Sequence, residues 1–113
     1  MSTLRITTDV LEIAYDTEGR EDGKPILLLH GWPDSSRAWR GIAPTLNAQG
    51  WRTAPPYLRG TAPTRFLSAN TPRVGHGVAL AQDAIDLADR LDWARFAVVG
   101  HDWGARVAYI LAA

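Results

Sequence analysis

Two short apolar runs constrain this chain more than any other feature: Ile26–Leu29 in "PILLLHG" and Phe96–Val99 in "RFAVVGH". Neither run contains a polar residue, each closes on glycine within two residues, and each is followed by residues at helical spacing. A strand that is apolar on both faces must be covered on both faces, which an open antiparallel pair cannot do. Strands of this kind alternating with helices predict a sheet that runs parallel through its centre, with helices packed on either side.

The remaining segments fit around that centre. "LRITTDVLEIAYDTEG" alternates apolar and polar residues and predicts a half-exposed antiparallel pair of strands before the first buried run. Asp34, Ser35 and Ser36 are good helix caps, and the spacing of Trp39, Ile42, Ala43 and Leu46 predicts one helix ending at Gly50. "WRTAPPYLRG" predicts a short strand cut off by Pro55 and Pro56, and "TAPTRFLSANTPRVGHG" reads as a surface loop. In "VALAQDAIDLADRL" two apolar rows, Val78, Ala81, Ile85, Ala88 and Leu80, Ala84, Leu87, Leu91, lie opposite Gln82, Asp86, Asp89 and Arg90, which predicts an amphipathic helix. The expected order is β-β-β-α-β-α-β-α within a single domain spanning residues 1–113, a mixed but mostly parallel sheet flanked by helices.

Charge and composition exclude several classes. Twelve basic and twelve acidic side chains cancel and are scattered, so the expected partners are neither nucleic acid nor membrane. Without cysteine there are no disulfides and no thiolate metal sites. His30, His76 and His101 lack the spacing of a metal motif, so neither a metal nor a cofactor is expected. No apolar run approaches the roughly 20 residues of a membrane span and the first residues carry no leader pattern, so the expectation is a soluble, cytoplasmic protein.

Ligands of a parallel α/β sheet bind beyond the carboxyl ends of its strands, which here are "HGWP" and "GHDWGA". Asp102 stands in the second between Gly100 and Gly104, the small residues that a tight strand-to-helix turn requires. It reads in two ways: as a carboxylate nucleophile raised on that turn, or as an N-cap of the following helix. The backbone N–H groups of Trp103 and Trp32 are the natural donors of an oxyanion hole.

Taken together, "HGWPDSSRAW", the "LRG" of "PYLRG" and "VVGHDWGARVAYILA" resemble the α/β-hydrolase fold, in the branch of epoxide hydrolases and dehalogenases whose elbow nucleophile is aspartate. The resemblance runs from about Leu11 to the last residue and implies the N-terminal portion of that fold. It also implies a substrate class. A carboxylate attacking an ester carbonyl would give a reactive anhydride, whereas attack on a saturated carbon bearing an epoxide oxygen or a halide gives an ester that activated water can cleave. The expected partner is therefore a small apolar epoxide or organohalide.

Trp32 resembles the aromatic residue of epoxide hydrolases and fluoroacetate-type dehalogenases at that position. The latter resemble "DRGAR" after the nucleophile, where this chain has Trp103 and keeps only Arg106. Epoxide hydrolysis is thus the leading expectation and dehalogenation the alternative. The resemblance places His30 and Pro33 in or beside the pocket, with His30 bonding backbone to fix the oxyanion turn. Arg106 reaches the pocket floor or pairs with an acid. His101 should turn away from the carboxylate, His76 should be a solvated loop residue, and Arg59 should tie its loop together. Tyr57 stands where Asp is common in the family, and "GTA" replaces Gly-aromatic-Gly.

In this fold the activating acid and histidine follow the nucleophile in chain order, and only eleven residues follow Asp102. The expectation is an incomplete hydrolase fold lacking its cap and later strands, inactive alone. It would be a truncated fragment or one half of a split enzyme, with an exposed strand edge open to the remainder of the fold or to self-association.

Overall fold

The computed structural model of the chain describes residues 3–31, 35–70 and 76–112. Strands β1 (Thr3–Thr7) and β2 (Leu11–Asp16) form the expected antiparallel pair, in register from Thr3–Asp16 to Thr7–Glu12. Their environments differ: β1 is largely exposed, whereas β2 is buried along nearly its whole length. Strands β3 (Lys24–Leu29), β4 (Trp51–Ala54) and β6 (Ala97–Gly100) make a parallel sheet in the order β4-β3-β6. Antiparallel bridges Tyr15–Pro56 and Glu18–Thr53 join β2 to the β4 side of that sheet.

Strand β3 is the centre predicted from its apolar run. Leu27 and Leu29 point to one face, where they meet Leu11, Ile13, Leu80, Leu87 and Val107. Ile26 and Leu28 point to the other, against Trp39 and Ala43. The period of two thus fills two cores at once. Leu27, Leu28 and Leu29 are fully buried, so truncating any one to alanine should cost about 2–5 kcal/mol. The first core is covered by α2 (Gly77–Arg90) and α3 (Trp103–Ala112). The second is covered by the 3-10 turn Ser36–Trp39 and by α1 (Ala43–Ala48).

Three expectations need correction. The single helix expected between Asp34 and Gly50 is broken into that 3-10 turn and α1. Pro44, in the first turn of α1, has no N–H to continue an earlier helix, and its ring would meet the carbonyl four residues back. The expected surface loop after Gly60 contains β5 (Arg65–Phe66), which pairs with Leu11 and Glu12 of β2, and Thr64 in it is buried. Thr64 belongs inside because its hydroxyl accepts from the Ala14 N–H at 2.9 Å and donates to the Tyr57 carbonyl at 2.6 Å. In α2 the expected inward residues Val78 and Ile85 are exposed, 65% and 40%, and Asp83 is buried in their stead. The inward stripe is Leu80, Ala81, Asp83, Ala84, Leu87 and Ala88.

Candidate active site

The carboxyl ends of β3 and β6 lie side by side, since Leu29 pairs with Gly100 and the His101 N–H donates to the Leu29 carbonyl at 3.1 Å. Asp102 sits in the turn between β6 and α3 with φ +58°, in the left-handed region. An N-cap residue normally takes extended backbone, so this conformation departs from the cap reading and matches a strained strand-to-helix elbow. The Ala105 N–H reaches back to the Asp102 carbonyl at 3.0 Å and the Gly104 N–H to the His101 carbonyl at 3.0 Å, closing the turn directly onto the helix.

The glycines at this turn are explained by contact distance. A Cβ on Gly100 would stand 2.1 Å from the Gly104 carbonyl oxygen, and one on Gly104 would stand 2.1 Å from that of Leu29. Both clashes are with backbone, which cannot rotate away. A Cβ on Gly31 would lie 2.4 Å from Asp102 Cβ and 2.7 Å from its Oδ2, so the carboxylate rests directly against the Gly31 backbone.

Two concavities flank this pair of strand ends. One, of about 160 Å³, is lined by His30, Gly31, Leu58, Arg59, Thr61, Leu80 and Trp103. Its walls therefore include Gly31 and Trp103, the residues on either side of the carboxylate. The other, of about 290 Å³, is lined by His30, Gly31, Ala38, Trp39, Ile42 and His101.

His30 and Gly31 line both. His30 is 2% exposed, its Nδ1 lies 2.8 Å from the Gly31 carbonyl, and its Nε2 accepts the Leu58 N–H at 3.1 Å. These partners require the proton on Nδ1, and they brace the turn after β3 against the chain after β4. His101 lines the second concavity, and Trp103 opens α3. As the first residue of a helix, Trp103 presents an N–H with no acceptor in the helix itself. The Arg106 guanidinium stacks on the Trp103 ring, 4.7 Å from its centroid. Trp32 and Pro33 lie outside the described residues.

His76 is not simply a solvated loop residue. It is exposed but caps α2, its Nδ1 accepting the Ala79 N–H at 3.3 Å. Arg59 ties its loop to a particular partner, gripping Asp83 of α2 with Nε–Oδ2 and Nη2–Oδ1 both at 2.7 Å. Burial pushes the Asp83 carboxyl above its ordinary value, with the guanidinium pulling the other way. The sequence reading missed Asp83, although its position three residues after Leu80 and four before Leu87 places it on the apolar stripe. Among the described residues no group of three His, Cys, Asp or Glu side chains is placed to hold a metal, and no helix is long and apolar enough to cross a membrane.

Asp102 thus stands at a tight turn between a parallel strand and a helix, with the Gly31 backbone close against its side chain. Residues 24–113 match the α/β hydrolase fold family, and the chain belongs to it. Within that family it is similar to epoxide hydrolases. It is 36% identical over 99 residues to the soluble epoxide hydrolase of Corynebacterium sp. strain C12, covering 87% of this chain and 32% of that protein.

Among solved structures it superposes with a TM-score of 0.96 and 45% identity on a Klebsiella pneumoniae protein whose assignment as an epoxide hydrolase is itself provisional, covering 98% of this chain and 37% of that one. Epoxide hydrolase A from Mycobacterium thermoresistibile superposes at 0.89 with 25% identity, over 98% of this chain and 34% of that one. The chain thus spans about a third of the length of these relatives.

Proposed function

We propose that Asp102 is the alkyl-accepting nucleophile of an epoxide hydrolase type of reaction. The observation that carries this reading is the left-handed backbone at Asp102 with Gly31 packed against its carboxylate. In the first step a carboxylate oxygen forms a bond to a ring carbon, the carbon–oxygen bond of the epoxide breaks, and the released oxygen takes a proton from solvent water. The product of this step is a hydroxyalkyl ester on Asp102. In the second step water adds to the ester carbonyl, the tetrahedral oxyanion is held by the N–H groups of Trp103 and Trp32, and collapse releases a diol and restores the carboxylate.

The roles of the other residues belong to the same reading. Leu58 and Leu80 supply apolar wall to the concavity beside Gly31 and Trp103, which suits a small apolar epoxide. His30 holds the turn rather than moving protons, since the Gly31 carbonyl and the Leu58 N–H occupy its two nitrogens. Pro33 is assigned to the pocket from its place in the sequence. Water activation is assigned to a histidine and an acid that follow the nucleophile in the chain order of this fold, outside these 113 residues. On that assignment the reaction in this chain stops at the ester.

A second reading is dehalogenation of a small haloacid, with the Arg106 guanidinium, stacked on Trp103, assigned to the substrate carboxylate. It shares the first step, with halide as the leaving group.

Intact mass of the chain after incubation with an aryl epoxide tests the proposal. One adduct of the epoxide's mass per chain, absent in Asp102→Asn, is the expected result. Equal labelling of wild type and Asp102→Asn would overturn it, and adduct formation with haloacetate alone would favour the second reading.

A further inference from the structure

Among the described residues one carboxylate is buried more completely than any other: Asp16, 1% exposed, at the end of β2. A buried carboxylate is tolerated only when polar groups replace its water, so its partners show what it holds together. Thr3 Oγ1 donates to Oδ1 at 2.9 Å, Ser36 Oγ donates to Oδ2 at 3.3 Å, and Arg40 Nη2 stands 3.9 Å from Oδ2. Ser36 is fully buried.

Two of the three groups on Asp16 come from one place, the 3-10 turn Ser36–Trp39 and its C-cap Arg40. That turn is seated on the sheet by Trp39, which packs with Ile26 and Leu28. Its first residue follows Gly31 by five positions, and Gly31 is the residue whose backbone presses on the Asp102 carboxylate. Two described points of the chain near Asp102 are thus held, Gly31 against the Asp102 side chain and Ser36 by a buried carboxylate on another strand.

We infer that Asp16 is a positioning residue for the elbow, acting through Ser36 and the 3-10 turn to hold the Gly31 backbone in register with Asp102. The inference concerns the site just proposed and rests on that reading for its chemical consequence. Asp16 touches neither Asp102 nor the concavity lined by Gly31 and Trp103, so it contributes no group to the chemistry.

The test compares the wild-type chain with Asp16→Asn, Asp16→Glu and Ser36→Ala by amide hydrogen exchange and by the kinetics of Asp102 alkylation with an aryl epoxide. Asp16→Asn is expected to speed exchange at residues 35–40 and, beyond them, at Gly31 and His101–Trp103, leaving α2 unchanged. The limiting alkylation rate should fall at least about tenfold with the half-saturating concentration unchanged, because the loss is one of alignment and not of binding. Ser36→Ala should fall between, and Asp16→Glu should recover part of the rate.

Unchanged exchange in Asp16→Asn, or faster exchange confined to residues 35–40 with an unchanged rate, would overturn the inference. Were Asp16→Asn to lose its fold, Ser36→Ala carries the same comparison. A wild-type chain that is not alkylated at all would sink the nucleophile reading. Exchange at Gly31 and His101–Trp103 would then decide the positioning role by itself.

Discussion

Asp102 and Gly31 show how little space the elbow allows. Replacing Gly31 by alanine would place a methyl group 2.4 Å from Asp102 Cβ and 2.9 Å from the His101 carbonyl oxygen, and neither neighbour is a flexible chain end. Gly31→Ala should therefore lose about 1–3 kcal/mol of stability in a urea titration and show no epoxide adduct. The Arg59–Asp83 pair makes a different prediction. Arg59→Leu leaves a buried carboxylate without its guanidinium, costing about 3–5 kcal/mol near neutral pH.

With the guanidinium gone, burial and the nearby Asp86 charge both act on Asp83 and raise its folded-state pKa above the unfolded value. Such a group favours folding fully below the unfolded pKa and loses that contribution as pH rises through the folded one. The deficit of Arg59→Leu relative to wild type should thus shrink as pH is lowered toward about 4, measured as the urea midpoint at each pH. At this scale the tight turn at Asp102 and the backbone bonds of His30 were legible, because a short motif fixes local backbone, whereas Arg106 stacks on Trp103 instead of meeting an acid or lining either concavity. Asp16 and Asp83 were not read from the sequence. Their partners come from residues 3, 36 and 40 in one case and residue 59 in the other, distances along the chain that no local pattern encodes.

The elements were read well where one periodicity ruled and less well where a single residue overrode it. Strand β3 and helix α2 emerged from their patterns, whereas Pro44 split the helix expected between Asp34 and Gly50. The end of α2 shows another local device. Asp92 takes φ +61°, its N–H bonds to the Asp89 carbonyl at 3.1 Å, and the Trp93 N–H bonds to the Ala88 carbonyl at 2.8 Å. This is a Schellman ending with aspartate where glycine is favoured. Asp92→Gly relieves the left-handed cost and should stabilise the chain by about 0.5–1 kcal/mol, read as a higher urea midpoint. A lower midpoint would mean that the Asp92 side chain contributes more than the backbone costs.

For the molecule as a whole, the parallel sheet has β4 and β6 at its two sides, and β2 approaches the β4 side. Among the described residues β6 pairs only with β3, and beside it lies a groove of about 670 Å³ lined in part by Ile85, Phe96, Val98 and Leu111. An open strand edge next to apolar surface favours association between chains. Sedimentation velocity should show concentration-dependent self-association, reduced in Val99→Lys, which adds a charge at an exposed β6 position. A monomer at all concentrations would contradict this.

The central claim is that the Asp102 carboxylate makes a covalent ester. The tryptic peptide from Phe96 to Arg106, FAVVGHDWGAR, contains a single acidic side chain, Asp102, with His101 beside it. After incubation with an aryl epoxide, the adduct mass should appear on this peptide and be removed by hydroxylamine, as an ester is. An adduct that survives hydroxylamine and fragments with His101, or one found only on other peptides, would contradict the account.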